Sequence, residues 1–175
     1  MIDYLKWAKD RSIDKGSRSC ASDLDMIAEI LKDIPQGGRL VKLGANCPAA
    51  LLIVGSRPDI KFLSIDDGDT TMPHEMQQFI EFKMDVSNFD CRIGADGLIS
   101  ASLYSAGPID LLFLDSNFTI NGMKARLESW MRFMGKPSWL IMHDWVRYPK
   151  VKEACQVITR QPDKTSEMSG AWRFQ

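Results

Sequence analysis

Apolar residues along the chain follow two rhythms, short runs of period two or unbroken hydrophobicity and longer stretches of helical spacing, and the two alternate. Leu24, Ile27, Ile30 and Leu31 recur at helical spacing, with Ser22 placed to cap the helix and Pro35-Gln36-Gly37-Gly38 placed to stop it. Residues 39–43 (Arg-Leu-Val-Lys-Leu) then read as a strand, Gly44-Ala45-Asn46 as a tight turn and 48–54 as a short helix opened by Pro48 and closed by Gly55. Residues 61–65 form the second expected strand and deliver Asp66 and Asp67 to its end. Residues 70–78 can make two helical turns, and 80–84 (Ile-Glu-Phe-Lys-Met) read as a third strand that ends at Asp85.

A helix over about 94–104 follows, and then Ile109-Asp-Leu-Leu-Phe-Leu114, a nearly unbroken apolar run of the kind a central parallel strand shows when both its faces are covered. It ends at Asp115. Met123, Leu127, Trp130, Met131 and Met134 mark a long amphipathic helix closed by Gly135-Lys136-Pro137. Residues 139–142 form a fifth strand ending at His143-Asp144, a helix spans roughly 149–158, and a last strand lies around 171–174. Strands alternating with helices predict an α/β fold: a mostly parallel sheet with helices on both faces, wound by right-handed crossovers.

Composition bounds what such a fold does. At 175 residues, 45% of them hydrophobic and 26% charged, the chain supports one core and reads as a single domain covering 1–175. With 22 Lys+Arg against 23 Asp+Glu, no bulk charge draws it to a nucleic acid or an anionic membrane. The start of the chain interleaves charged and apolar residues, unlike a secretory signal, and no apolar run approaches the roughly 20 residues of a membrane span. Cys20, Cys47, Cys91 and Cys155 show no metal-ligand spacing and suit a reducing compartment. The expectation is a cytoplasmic protein whose partner is a small molecule; a homo-oligomer is compatible with the sequence.

In an open α/β sheet the ligand lies outside the carboxyl ends of the strands, where the strand order reverses. The candidates there are Gly44 after strand one, Asp66 and Asp67 after two, Asp85 after three, Asp115 after four and His143-Asp144 after five. An acidic residue about 20 positions beyond the first glycine turn is well placed to accept both hydroxyls of a ribose, which singles out Asp66. The turn itself, Gly44-Ala45-Asn46-Cys47-Pro48-Ala49, keeps one glycine of a G-x-G-x-x-G pattern. A pyrophosphate needs the close approach given by the second glycine, so a dinucleotide is disfavoured.

These residues resemble class I S-adenosylmethionine-dependent methyltransferases, and among them the methyltransferase domain 24 family related to cephalosporin hydroxylase-like proteins. Val41-Lys-Leu-Gly44 is similar to that family's strand-one start, Phe62-Leu-Ser-Ile-Asp66 to its second strand and Ile109 to Asp115 to its fourth. Asn121-Gly122-Met123-Lys124-Ala125 resembles its following helix start, and Trp139 to Asp144 with Val151-Lys-Glu-Ala154 its fifth strand and later helix. The resemblance implies that Gly44, Ala45 and Asn46 flank the methionine part of S-adenosylmethionine, that Asp66 holds the ribose, that Asp85 approaches the adenine amine, and that Asp67 and Asp115 also belong to the cofactor site. Asp115 and Asp144 would face the transferring methyl and the acceptor. His143, with an ordinary pKa near 6.5, would take a proton from an acceptor hydroxyl.

In some relatives the strand-four and strand-five aspartates hold a divalent cation, for which Asp115 and Asp144 are the candidates here. The chain departs from the family at Lys42, which replaces an acid, at Pro48, which replaces a glycine, and at Ser116-Asn117-Phe118, which replaces Gly-Asp-His. The lost carboxylate and imidazole argue against metal dependence. The same departures leave room for a binding protein that keeps the fold without catalysis. Asp66-Asp67 and Asp115 also resemble the acids of a phospho-acceptor receiver domain, although His143-Asp144 adds negative charge where a phosphate needs a donor.

Overall fold

A computed structural model describes residues 3–14, 19–44, 47–66, 79–80, 83–93, 97–115 and 119–175. Two helices, α1 (Tyr4–Asp14) and α2 (Ala21–Ile30), precede β1 (Arg39–Leu43), α3 (Cys47–Ser56) and β2 (Lys61–Asp66). Then come β3 (Phe89–Ile93), α4 (Gly97–Ser102), β4 (Ile109–Leu114), α5 (Ile120–Met131), β5 (Met134–Met142), α6 (Pro149–Ala154) with a 3-10 turn at Cys155–Val157, β6 (Lys164–Thr165) and β7 (Gly170–Phe174). The strands form one seven-stranded sheet in the order β3-β2-β1-β4-β5-β7-β6. The first five strands are parallel, and β7 runs antiparallel to both β5 and β6.

The period of two explains the layers. Leu40, Phe62, Leu111, Phe113, Trp139 and Ile141 face α1, α2 and α3, whereas Val41, Leu43, Leu112, Leu114, Leu140 and Met142 face α5 and α6. Because β4 is covered on both faces, five of its six residues are buried. Helix α3 is apolar all round, with Ala49 to Val54 buried, because it lies between the sheet and α1.

The start of α2 differs from expectation. Cys20 stands at the N-cap, and its N–H donates to Asp23 Oδ2 at 3.0 Å; Ser22 Oγ instead accepts from the backbone N–H of Glu167, on the turn between β6 and β7, at 3.1 Å. Helix α5 is capped by Thr119, whose Oγ1 accepts from Gly122 N–H at 3.1 Å. It ends at Met131, and Gly135-Lys136-Pro137 belong to β5, whose register against β4 shifts between Ile109 and Leu111.

The third strand is also displaced from the sequence reading. Ile80 is 72% exposed, whereas Phe79 is buried and meets Phe89 edge to face at 5.0 Å. The strand that pairs with β2 begins at Phe89, opposite Phe62. Asp85 therefore precedes the third strand rather than ending it. The topology also rules out the receiver reading, because an antiparallel β7 sits between β5 and β6 at one edge of the sheet.

Candidate functional site

The parallel registers bring the strand ends to one level. Leu43 pairs with Ile65 on one side and Leu114 on the other, and Leu114 pairs with Met142. The residues that follow, Gly44, Asp66, Asp115 and His143, therefore emerge together at the carboxyl edge. Strand order reverses at β1, which has β2 on one side and β4 on the other, and this is where an open α/β sheet forms its crevice. Gly44 has φ +94°, a conformation that a side chain would strain, and its N–H donates to Ile65 O at 2.9 Å. Asp66 ends β2 and is 5% exposed. Ala45, Asn46 and Asp67 lie outside the described residues, as do Asn117, Phe118 and the expected turns at 70–78.

Asp85 does not join this group. It stands before β3, its Oδ1 accepts from Ser87 N–H at 3.0 Å, and the neighbouring Asn88 amide donates to Pro58 O at 2.9 Å, in the turn that enters β2. It thus belongs to the amino edge of the sheet. The misplacement follows from the strand: a carboxylate reaches the crevice only from the far end of β3. Asp96 follows β3 in the sequence, within 94–96, which lie outside the described residues.

At the ends of β4 and β5 the structure builds a buried cluster. His143 Nδ1 lies 3.0 Å from Asp115 Oδ1 and 3.6 Å from Asp144 Oδ1, while Nε2 lies 3.6 Å from Asp23 Oδ2. The His143 side chain is 1% exposed. None of these contacts is aligned as a hydrogen bond, so the ring is held by charge pairing; Asp115 Oδ2 and Asp144 Oδ1 are buried without a hydrogen-bond partner. Burial disfavours the charged ring, but Asp115, Asp144 and Asp23 overcome it and push the His143 pKa up to about 12. A ring enclosed in this way and facing three carboxylates offers no nitrogen to solvent, where the general-base role expected from the sequence would need one. Asp144 is more accessible, with its side chain 13% exposed, and its backbone takes φ +62° directly after the strand.

Asp23, which the sequence reading passed over, is the far wall of this cluster. Burial would raise its carboxyl, yet His143, the Ser166 hydroxyl and the Cys20 N–H hold it well below the usual carboxylate range. Its signal was hidden because Asp23 lies on an early helix, far in sequence from every strand end. Lys42 on β1 is fully buried; its Nζ donates to Gly44 O at 2.6 Å and to Ser64 Oγ at 3.1 Å. The ammonium holds the backbone of the first turn from beneath.

A groove of about 640 Å³ lies elsewhere, beside Trp139, Arg160, Lys164 and Arg173. Arg160 pairs with Asp163 at 2.6 Å, Lys164 pairs with Glu29 at 2.6 Å and the Arg173 guanidinium lies over the Trp139 ring at 5.8 Å, so these cations are engaged by their own surroundings and the strand-end cluster is the stronger site.

Solved structures match this architecture. A Staphylococcus aureus protein assigned as a caffeoyl-CoA O-methyltransferase superposes with a TM-score of 0.74 at 12% identity, covering 98% of this chain and 92% of its own. A Klebsiella pneumoniae protein assigned as an O-methyltransferase gives 0.72 at 14% identity, covering 100% and 91%. The chain has the class I methyltransferase fold. The O-methyltransferase NovP shares it with a TM-score of 0.70 at 14% identity over 89% of this chain and 81% of its own. No protein-family profile and no curated protein sequence matches the chain. No described helix of this methyltransferase fold is long and apolar enough to cross a membrane.

The cluster fits an ion once the His143 ring is neutral. Asp115, His143 and Asp144 each offer one ligand atom, all within 4.8 Å of one another, and the buried oxygens without partners are the kind of donors an ion satisfies. Two carboxylates with one imidazole suit a borderline ion such as zinc or manganese better than magnesium, which prefers an all-oxygen shell.

Proposed function

We propose that the chain binds S-adenosylmethionine at the carboxyl ends of β1, β2 and β4 and transfers its methyl group to an oxygen of a small-molecule acceptor. The observation that carries this reading is the convergence of Gly44, Asp66 and the Asp115-His143-Asp144 cluster where the strand order reverses. Three carboxylates surround one imidazolium, and this surplus of buried negative charge favours a cationic ligand such as a sulfonium.

In this reading Asp66 accepts the ribose hydroxyls and the Gly44 turn passes close to the methionine portion. The sulfonium already activates the methyl group, so the protein has to align donor and acceptor and remove one proton. Asp144, the least enclosed acid of the cluster, accepts that proton, while the His143 imidazolium fixes Asp115. A divalent ion on Asp115, His143 and Asp144 would require the His143 ring to give up its proton, and would then supply in its place the positive charge that lowers the pKa of the acceptor hydroxyl.

A second reading rests on Lys42: an ammonium under the first turn reverses the charge of the family acid, and a protein so altered would bind the cofactor without turning it over. Calorimetric titration with S-adenosylmethionine and S-adenosylhomocysteine tests both. Micromolar binding is expected. Losing two hydrogen bonds to a carboxylate in Asp66→Ala weakens it roughly 100-fold. Absence of binding at millimolar ligand overturns the cofactor reading; binding without methyl transfer to any of a panel of phenols, catechols and sugar hydroxyls supports the second.

A further inference from the structure

Asp23 stands apart from the strand-end residues because it comes from α2, yet its side chain is 1% exposed and faces His143. Its two oxygens are anchored differently. Oδ1 accepts from the Ser166 hydroxyl on the turn between β6 and β7, and Oδ2 accepts from the Cys20 N–H at 3.0 Å and the Cys20 thiol at 3.1 Å. Oδ2 is also the oxygen 3.6 Å from His143 Nε2. The next residue back, Ser22, binds the Glu167 N–H of the same turn, so two neighbouring side chains of α2 tie the helix to the β6–β7 hairpin.

The other ring nitrogen, Nδ1, sits 3.0 Å from Asp115 Oδ1. An imidazole turned over about its Cβ–Cγ bond would present carbon atoms to Asp23 and Asp115 and lose both contacts, at the cost of two buried carboxylates without their cation. With Nε2 facing the Asp23 carboxylate at 3.6 Å, Nδ1 points toward Asp115 and Asp144. A carboxylate on the outer nitrogen of a histidine is a familiar way to fix ring orientation.

We propose that Asp23 is a positioning residue of the candidate site: from the N-terminal turn of α2 it locks the His143 ring, and through that ring it orients the Asp115 carboxylate. The kinetic consequence rests on the methyl-transfer reading above; the orientation of the ring does not.

The test uses the full chain in a His74→Gln background, which leaves His143 as the remaining histidine. In ¹⁵N-histidine-labelled protein with chelator present, the imidazole shows a slowly exchanging Nε2 proton. Asp23→Ala loses that signal, Asp23→Asn weakens it because the amide fills the same space without the charge that holds the ring, and Ser22→Ala keeps it in full although it loosens the same helix-to-hairpin contact. Where methyl transfer is measurable, kcat falls roughly 10–100-fold in Asp23→Ala with little change in the cofactor KM, is partly restored in Asp23→Asn, and stays near wild type in Ser22→Ala. The proposal is overturned if the wild-type Nε2 proton exchanges freely, or if Asp23→Ala leaves the ring signal unchanged. The ring signal decides this even in a protein that fails to bind S-adenosylhomocysteine, which separates the two readings.

Discussion

His143 shows how far an environment can move a side chain from the role its type suggests. Histidine at a strand end reads as a base because its ordinary pKa lies near neutrality. Asp23, Asp115 and Asp144 convert it into a buried cation with a pKa of about 12. Its folded-state pKa is raised, so the stability it contributes is fully present below the unfolded value of 6.5 and is lost as pH rises toward about 12. Urea unfolding of metal-free protein at pH 7, 8 and 9 should show stability falling with a slope that approaches about 1.4 kcal/mol per pH unit. His143→Gln should flatten that slope. An equal slope in the variant would mean that the ring is neutral in the folded protein. The sequence made His143 and the aspartates legible as neighbours, because strand ends converge, but charge state depends on Asp23, whose approach is set by tertiary packing.

At the scale of elements, buried strands were legible and the edge was not. β1, β2 and β4 announce themselves as apolar runs because both faces of a parallel sheet are covered. β3 lies at the sheet edge and alternates Phe89, Asp90, Cys91, Arg92, with Asp90 and Arg92 paired at 3.3 Å on its exposed side, so its apolar signal is diluted. The more hydrophobic 80–84 took its place in the sequence reading and carried Asp85 with it. Helix α3 shows the converse, where a residue read as a terminator is a contact. Gly55 lies inside the helix, and a Cβ there would come within 2.3–2.7 Å of the Tyr4 ring of α1. Gly55→Ala gains about 1 kcal/mol of helix propensity but displaces α1, and overpacking of this kind costs about 1–3 kcal/mol. Chemical denaturation should show net destabilisation, relieved when Tyr4→Ala is added; a more stable single variant would show that α1 is free to shift.

Over the whole molecule, the sheet divides into a parallel half that makes the crevice and an antiparallel hairpin that closes it from behind. β7 covers the free edge of β5 with the fully buried Trp172, while Ser166 and Glu167 of the hairpin turn reach α2. The parallel half follows from hydrophobic pattern; the contact between hairpin and α2 joins segments more than a hundred residues apart and leaves no local trace in the sequence. A ligand bound in the proposed crevice would touch the ends of several parallel strands, so its binding energy would add to the stability of the whole fold. A ligand present at 100 times its dissociation constant adds about 2.7 kcal/mol, which for a chain of this size raises Tm by roughly 5–10 °C. Thermal unfolding with saturating S-adenosylhomocysteine should show that rise in wild type and little of it in Asp66→Ala at the same ligand concentration. A rise of equal size in both proteins would place the ligand away from β2, and the crevice assignment would have to move with it.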